Sequence, residues 1–260
     1  MVLISLRYSN MSKIIYGFHS VINYIKTTPN LVEEIYIDNT RQDKRQQELS
    51  NLANEYNITL INKTINELNT LVKSKTHQGV VAKVKPTAKL TLNEVLTGLT
   101  NNSTAQILIL DGITDPQNLG AIIRTAECFG VDAIILPKDN SANIDNLSVA
   151  KTSSGAVNNV PVVTVNNLNQ AMDTLKEHGF WIAGTCLDKK SVNLFEFKFQ
   201  GKIAWVMGSE GSGIRRLVME NCDYLVTIPL KGATQSLNVS VATGVVLAYA
   251  NFMQNSFTDK

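Results

Sequence analysis

Three short polar segments carry the residue types that could do chemistry in this 260-residue chain. They are Asp115–Asn118, Gly208–Gly213 and Lys231–Asn238. The second contains Glu210, and the third contains Ser236 and leads from Asn238 into an apolar helix. Flexible backbone with unpaired N–H groups at a helix start, together with serine, asparagine and glutamate, is suited to holding a small polar ligand. The three segments therefore predict a ligand site.

Each segment also has a simpler interpretation as a turn or a helix cap. Asn118 could cap the helix that follows it, and Ser236 and Asn238 are both able to cap theirs. Arg124 lies off the apolar stripe of its helix and could be a surface charge. For any one segment alone the simpler interpretation is favoured, but three such segments in succession favour a site.

The sequence around these segments predicts the strands and helices of an α/β sheet, which must position them. Residues 106–111 (QILILD) form an apolar run typical of a strand buried on both faces. Two further strand-like runs, Ile203–Met207 and Tyr224–Ile228, directly precede the second and third segments. The alternation predicts five or six mostly parallel strands in one sheet. The last helix is apolar almost all round, which predicts that it is buried.

The chain before this sheet has a different organisation. Residues 12–85 alternate in the order α-β-α-β-α-β, beginning with a helix in Lys13–Lys26, and predict a small three-layer α/β domain. We interpret residues 86–105 as a linker and 106–260 as the second domain. Residues 1–10 are expected to be a loosely held extension. His77 lies in a loop and is interpreted as a turn residue.

Composition and charge narrow the classes of function. Hydrophobic residues make up 44% and charged residues 18%, as in a soluble globular protein. The absence of an apolar run of about 18 residues and of an export signal predicts a cytoplasmic location. The three cysteines form no CxxC pair, so we expect buried thiols and no metal site.

The net charge of +2 is small, but it is unevenly distributed. Residues 1–86 hold 11 Lys and Arg against 7 Asp and Glu, a balance of +4, and the remainder has a balance of −2. A basic stripe that begins in the first part and continues just beyond it could contact phosphates or could blunt the edge of a sheet. It consists of Lys73, Lys75, Lys83, Lys85 and Lys89.

The stretches DPQNLGAIIRTAECFG, VMGSEGSGIRR and IPLKGATQSLNVSVATG resemble, in order and spacing, the three motifs of the SPOUT methyltransferases of the TrmH type. These enzymes methylate RNA on the ribose 2′-hydroxyl. The front of the chain, with IIYGFHSV and THQGVVAKV, resembles the ribosomal-protein-like RNA-binding domain of bacterial 23S rRNA guanosine 2′-O-methyltransferases. The resemblance implies a C-terminal sheet with a deep trefoil knot, S-adenosylmethionine as methyl donor, and no metal.

The resemblance also assigns residues. The implied catalytic set is Asn118, Arg124, Glu210, Ser236 and Asn238. The implied donor-binding set is Gly208, Ile228, Leu237 and Asn238. A guanidinium is a very weak base, with a pKa above about 12, so Arg124 is expected to bind the adjacent phosphate and polarise the hydroxyl. The implied partners are 23S rRNA, methylated in the peptidyl-transferase P-loop, or an assembly intermediate, and a second copy of the chain.

Three other functions compete with this one. A tRNA guanosine 2′-O-methyltransferase would share the same three motifs. A catalytically silent RNA-binding or ribosome-assembly protein would have lost Arg124 or Asn238, and both are present. A nicotinamide-dependent enzyme would carry GxGxxG after its first strand, where this chain has DGITDPQNLG.

Overall fold

A computed structural model of the chain describes residues 12–38, 40, 43–72, 76–85, 90–144, 146–188, 190–233 and 236–255. The chain divides near residue 88 into two compact units. The proposed extension at residues 1–10 lies outside the described residues, as do Lys73, Lys75 and Lys89 of the basic stripe.

The N-terminal unit is built on a four-stranded mixed sheet with the strand order β1-β4-β2-β3. Strands β2 and β3 are parallel, whereas β4 pairs antiparallel with both β1 and β2. Its elements are β1 (Lys13–Tyr16), α1 (Phe18–Thr27), β2 (Val32–Asp38), α2 (Lys44–Glu55), β3 (Thr59–Lys63), α3 (Ile65–Val72) and β4 (Val80–Val84).

This unit begins with a strand, so the prediction of a helix from Lys13 is wrong for its first four residues. Gly17 has a φ of 89°, a left-handed conformation that only glycine adopts readily, and it separates β1 from α1. The helical stripe that motivated the prediction lies wholly after Gly17. Ile14 and Ile15 before it are β-branched, which favours an extended strand.

Helices lie on both faces of this sheet. Val21 and Ile25 of α1 and Leu49 of α2 form one core cluster with the strands. Leu68 of α3 is fully buried outside that cluster, in a helix that contacts β2 and β4. This placement agrees with the expected three layers.

The C-terminal unit is larger and contains seven strands and six α-helices among its described residues. They are α4 (Leu92–Gly98), β5 (Ala105–Asp111), α5 (Pro116–Cys128), β6 (Ala133–Pro137), α6 (Leu147–Thr152), β7 (Val162–Val165), α7 (Leu168–Glu177), β8 (Phe180–Thr185), β9 (Val192–Asn193), β10 (Lys202–Gly208), α8 (Arg216–Glu220), β11 (Tyr224–Thr227) and α9 (Val239–Asn255).

The strand order in this unit is β7-β6-β5-β10-β8-β11-β9, and every neighbouring pair is parallel. The predicted fold class, an α/β protein with a mostly parallel sheet, is confirmed. The carboxyl ends of the strands share one edge, and Gly208 at the end of β10 is paired with Asp111 at the end of β5. The first and second polar segments therefore start side by side. The trefoil knot stays a prediction.

Both faces of the sheet are covered. Helices α5, α6 and α9 contribute to one core cluster, and α4, α7 and α8 to the other. Helix α4 lies in the stretch interpreted as a linker, and it buries Val95 and Leu96 in the second cluster. Sequence reasoning missed α6, which lies between β6 and β7. A Cβ added at Gly120 of α5 would lie 2.7 Å from Thr152 Cβ, so glycine lets α5 approach α6 closely.

Helix α9 has one buried and one exposed apolar face. Val246, Leu247 and Ala250 are fully buried. Val241 and Phe252 are 53% and 66% exposed. The prediction of burial all round is therefore wrong for one face, because the elements that contact α9, chiefly α5, pack against the other face. Among the described residues, no helix is long and apolar enough to cross a membrane.

Candidate active site

The first polar segment forms the start of α5. Asp115 is the cap, and its side chain accepts from the backbone N–H groups of Gln117 and Asn118 at 3.0 and 3.4 Å. Pro116 occupies the first helical position, where its missing N–H costs nothing. Asn118 is therefore not the cap, and its side chain is free to bond elsewhere.

The second segment is a tight loop after β10. Ser209 and Gly213 exchange backbone hydrogen bonds at 3.1 and 3.0 Å, which closes the loop on itself. A Cβ on Gly208 would lie within 2.3 Å of the Gly213 carbonyl carbon and the Ile214 nitrogen. Any larger residue at this position would force the loop open. Glu210 projects from the loop and is exposed.

The third segment ends at the first turn of α9. Asn238 caps this helix, because its Oδ1 accepts from the backbone N–H of Ser240 at 2.9 Å and from the Ser240 hydroxyl at 2.6 Å. Thr234 and Gln235 of this segment lie outside the described residues. The cap leaves the Asn238 amide nitrogen to donate elsewhere.

Three predicted catalytic side chains, one from each segment, are hydrogen-bonded to one another. Asn118 Nδ2 donates to Glu210 Oε1 at 3.1 Å. Asn238 Nδ2 donates to Asn118 Oδ1 at 3.0 Å and also to Glu210 Oε1. The backbone N–H of Val239 gives Glu210 Oε1 a third donor at 3.3 Å. A single carboxylate oxygen thus joins the starts of α5 and α9 to the loop after β10. We call this group the Asn118–Glu210–Asn238 cluster.

A cavity of about 530 Å³ lies beside this cluster. Five of the predicted site residues line it, namely Gly208, Glu210, Ile228, Ser236 and Leu237. Its volume is within the range of sites for small molecules and cofactors. The lining combines apolar side chains with serine, threonine and carboxylate groups. S-adenosylmethionine has an adenine ring and a charged amino-acid end, so a mixed lining of this kind fits it.

Arg124 lies apart from both the cluster and the cavity lining. It is exposed, one and a half turns into α5 from Asn118, and its guanidinium has no ion-pair or hydrogen-bond partner in the part of the chain that the structure describes. A cation left free at the surface is available to an anionic ligand.

Sequence reasoning missed one polar pair beneath the site. The Asp111 carboxylate, fully buried at the end of β5, accepts from Arg215 Nε at 2.7 Å and from the Arg215 backbone N–H at 2.8 Å. Arg215 lies two residues after the second segment, so the pair fixes the exit of that loop to the strand that leads into the first segment. An aspartate closing an otherwise apolar strand was the signal that could have revealed it.

Comparison with known proteins assigns the chain to a family. Residues 105–248 match the family model described as "SpoU rRNA Methylase family", and residues 14–90 match the model "RNA 2'-O ribose methyltransferase substrate binding". The chain belongs to the SpoU rRNA methylase family. The first match spans all three polar segments, and the second covers the described N-terminal unit.

Curated relatives agree over nearly the whole chain. A protein of Ralstonia nicotianae named 23S rRNA (guanosine-2'-O-)-methyltransferase RlmB is 42% identical over 91% of this chain and 94% of its own length. A protein of the same name from Neisseria meningitidis is 43% identical over 90% of this chain and 92% of its own. The similarity thus includes both units.

Solved structures support the fold. The SpoU methyltransferase AviRb of Streptomyces viridochromogenes superimposes with a TM-score of 0.76 at 22% identity, covering 95% of this chain and 91% of that one. An rRNA methyltransferase of Sinorhizobium meliloti gives a TM-score of 0.75 at 21% identity, covering 93% of this chain and 87% of that one.

Membership of the family confirms the resemblance drawn from the three motifs. It also confirms the prediction of an RNA 2′-O-methyltransferase, and the similar SpoU methyltransferase AviRb has been solved in complex with S-adenosylmethionine. Among the described residues, no group of three or more His, Cys, Asp or Glu side chains is arranged to hold a metal ion.

Proposed function

We propose that this chain methylates the ribose 2′-hydroxyl of a guanosine in 23S rRNA, either in free rRNA or in an assembly intermediate. The main support is that relatives named for this reaction align with both units at 42–43% identity. The hydrogen-bonded Asn118–Glu210–Asn238 cluster beside a cofactor-sized cavity supports a working site. We place the target in the peptidyl-transferase P-loop, as the resemblance implies.

The site residues fall into two groups, one for the methyl donor and one for the RNA that accepts the methyl group. S-adenosylmethionine, when bound, supplies a methyl group on a positively charged sulfur. Gly208, Ile228 and Leu237 in the cavity would hold it, with Asn238 supporting the third segment. Ser236 also lines the cavity and would orient the donor or the ribose. Holding two reactants in line supplies much of the rate of a displacement.

Arg124 is the group that we assign to the RNA. Its free guanidinium would bind the phosphate next to the target ribose and polarise the 2′-hydroxyl. Because a guanidinium stays protonated, the proton of the hydroxyl leaves to that phosphate or to water.

The Asn118–Glu210–Asn238 cluster has a positioning role in this proposal. Glu210 Oε1 already accepts from three N–H donors, so this oxygen is committed to joining the segments. The cluster therefore fixes the entrance of the donor cavity relative to α5, which carries Arg124.

The experiment that tests the function compares ribosomal and transfer RNA from cells with and without the protein. Mass spectrometry should find one 2′-O-methylguanosine missing from 23S rRNA, and purified protein should restore it on a 23S fragment. Methylation of tRNA with the 23S fragment untouched would replace this proposal by the tRNA alternative.

We also propose that the protein is a homodimer through the exposed face of α9. An apolar stripe of Val241, Val245, Ala248 and Phe252 runs along it, and its C-terminal part borders an apolar depression of about 570 Å³ beside Phe195. Exposed apolar patches of this kind usually mark an interface, and a two-fold axis lets one patch cover its own copy.

A charge placed in that stripe tests the dimer. Ala248→Glu should give a monomer by light scattering at micromolar concentration, because burial of an unpaired carboxylate in an apolar interface is unfavourable. The matched control is Ile65→Glu, since Ile65 is 50% exposed on the N-terminal unit. A wild-type protein that is monomeric and fully active would refute the dimer.

The cytoplasmic location remains part of the proposal. Cys128, Cys186 and Cys222 are free thiols in the structure, as is usual in a reducing compartment. Fractionation of cells that carry the tagged protein tests it.

A further inference from the structure

A second cavity, of about 620 Å³, opens at the carboxyl edge of the C-terminal sheet. It lies beyond the ends of β6 and β7 and beside α8. The two cavities adjoin the same short stretch of chain, since Ile214 lines the donor cavity and Arg215 lines the second one. We call the second cavity the α8 cleft. Its polar lining residues are Asp139, Asn140, Asn166, Asn167, Asn169, Arg215 and Arg216.

Arg215 is held in a fixed orientation at the wall of this cleft. Its Nε and backbone N–H both donate to Asp111, whose side chain is fully buried, whereas the Arg215 side chain is 54% exposed. No described residue accepts a hydrogen bond from its two terminal nitrogens. A guanidinium anchored through Nε still presents two parallel N–H groups, the arrangement that binds a phosphate with two hydrogen bonds.

Arg216 is a second cation in the lining of the cleft, and its ion pair is weak enough for a phosphate to replace the partner. It pairs with Glu220 at 2.9 Å, but the two side chains are 75% and 54% exposed, and such surface pairs contribute little. An incoming phosphate can therefore compete for Arg216. Asp139 is the carboxylate in the lining, and its repulsion places an anion on the α8 side of the cleft. The asparagine amides can donate to phosphate or sugar oxygens.

We propose that the α8 cleft binds the phosphodiester backbone of the RNA strand next to the methylated nucleotide. This inference rests on the proposed function, because it names how the same substrate is held. The cleft adjoins the donor cavity through residues 214 and 215, so the strand that enters the reaction centre must continue near it. The cleft accordingly holds the flanking strand in register, and Arg124 binds the phosphate at the reaction centre.

Substitutions of Arg216 in the full-length protein test this proposal. Arg216→Ala should weaken binding of the 23S fragment roughly fivefold to tenfold, and Arg216→Glu more, because a repelling charge replaces the cation. The slope of log K against log salt should become shallower by about 0.7–0.9 for the lost phosphate contact. Arg215→Lys should also weaken RNA binding, since an ammonium cannot hold Asp111 and still offer a two-pronged donor.

The matched control is Lys198→Ala, which also removes one exposed positive charge from the C-terminal unit. Lys198 lies just before β10 and therefore at the opposite, amino edge of the sheet. The control should keep the wild-type slope. Calorimetry with S-adenosylmethionine should give wild-type affinity for the Arg216 variants, which shows that the donor cavity is intact.

The outcomes separate the cleft from the proposed function. If the wild type methylates the 23S fragment and Arg216→Glu binds it with unchanged affinity and slope, the cleft proposal is wrong and the function stands. If the wild type binds the fragment with a slope that depends on Arg216 but methylates nothing, the function fails and the cleft is supported. A wild type that neither binds nor methylates the fragment overturns both.

Discussion

Two polar clusters, one in each unit, differ in how deeply they are buried and in how far apart their members lie along the chain. In the N-terminal unit His77 is 1% exposed, and its ring bonds Asn69 Oδ1 and the Gly79 N–H, both at 3.0 Å and within eight residues of it. In the C-terminal unit the members of the Asn118–Glu210–Asn238 cluster are separated by 28 to 120 residues and lie at the surface. Buried bonds are costly to break, whereas bonds beside water contribute little to stability. The first cluster therefore stabilises the fold, whereas we propose that the second positions the active site.

The protonation of His77 follows from this burial. Nδ1 accepts from the Gly79 N–H, so the neutral ring carries its proton on Nε2, facing Asn69. Burial lowers the pKa of His77 below its usual 6.5, and the nearby Asp38 carboxylate opposes this shift. The arrangement agrees with the interpretation of His77 as a turn residue, and adds that its side chain is buried, although Gln78 beside it is exposed.

The largest effect is expected at Arg124, which is hydrogen-bonded to neither cluster in the described part of the chain. Arg124→Ala should lower turnover by about 10²- to 10³-fold, because it removes the charge that stabilises the reacting RNA group. Affinity for S-adenosylmethionine should stay within a few-fold, and the thermal midpoint should not change, because Arg124 is exposed. Single-turnover kinetics measures the turnover, and calorimetry measures the affinity for S-adenosylmethionine. A collapse of donor binding would show that Arg124 belongs to the donor site.

The next effect is expected when the common acceptor of the surface cluster is removed. Glu210→Ala leaves three donors without their partner and should reduce kcat/KM by about 10- to 100-fold, with weaker donor binding but a loss of unfolding free energy below about 1 kcal/mol. Glu210→Gln keeps an oxygen acceptor and should retain more activity. The control Glu177→Ala removes an exposed carboxylate from α7. A loss of several kcal/mol of unfolding free energy in Glu210→Ala would show that the surface cluster also stabilises the fold, as the buried cluster does.

The reverse pattern is expected for the buried cluster. His77→Ala leaves the buried Gly79 N–H without an acceptor and should reduce the unfolding free energy of the N-terminal unit by about 1–3 kcal/mol. RNA binding should weaken, and donor binding should be unchanged. Urea denaturation with hydrogen exchange resolved by unit provides the measurement. Equal losses in both units would mean that the two do not unfold separately.

The smallest effect is a dependence of the N-terminal unit on pH. Because the pKa of His77 is lowered in the folded state, the unfolded state binds the proton more readily. Stability contributed by neutral His77 is complete above about pH 7 and is lost as the pH falls through 6.5, until the folded-state pKa is passed. His77→Gln does not titrate and should flatten the pH profile of unfolding between pH 7 and pH 5. A profile identical to that of the wild type would assign the dependence to other groups.

Local patterns in the sequence predicted most helices and strands correctly and a few wrongly. The helix predicted from Lys13 was wrong because apolar spacing after Gly17 was extended backwards across a glycine. Asn118 was considered as a cap because it is a common cap residue, but Asp115 followed by proline is the stronger start signal. Helix α6 was missed because its six residues are too few to show a period.

The sequence by itself determined the three motifs, the parallel sheet and the chemistry that the family performs, because these depend on residue type and spacing along the chain. Only the tertiary structure decided that Asn118, Glu210 and Asn238 share one carboxylate oxygen, that Asp111 anchors Arg215, and that one face of α9 is left uncovered. The physical reason is distance along the chain. Hydrogen bonds between residues some 30 to 120 positions apart form only once parallel strands bring their carboxyl ends to one edge of the sheet. A pattern within a short stretch of sequence cannot predict which of these residues come together.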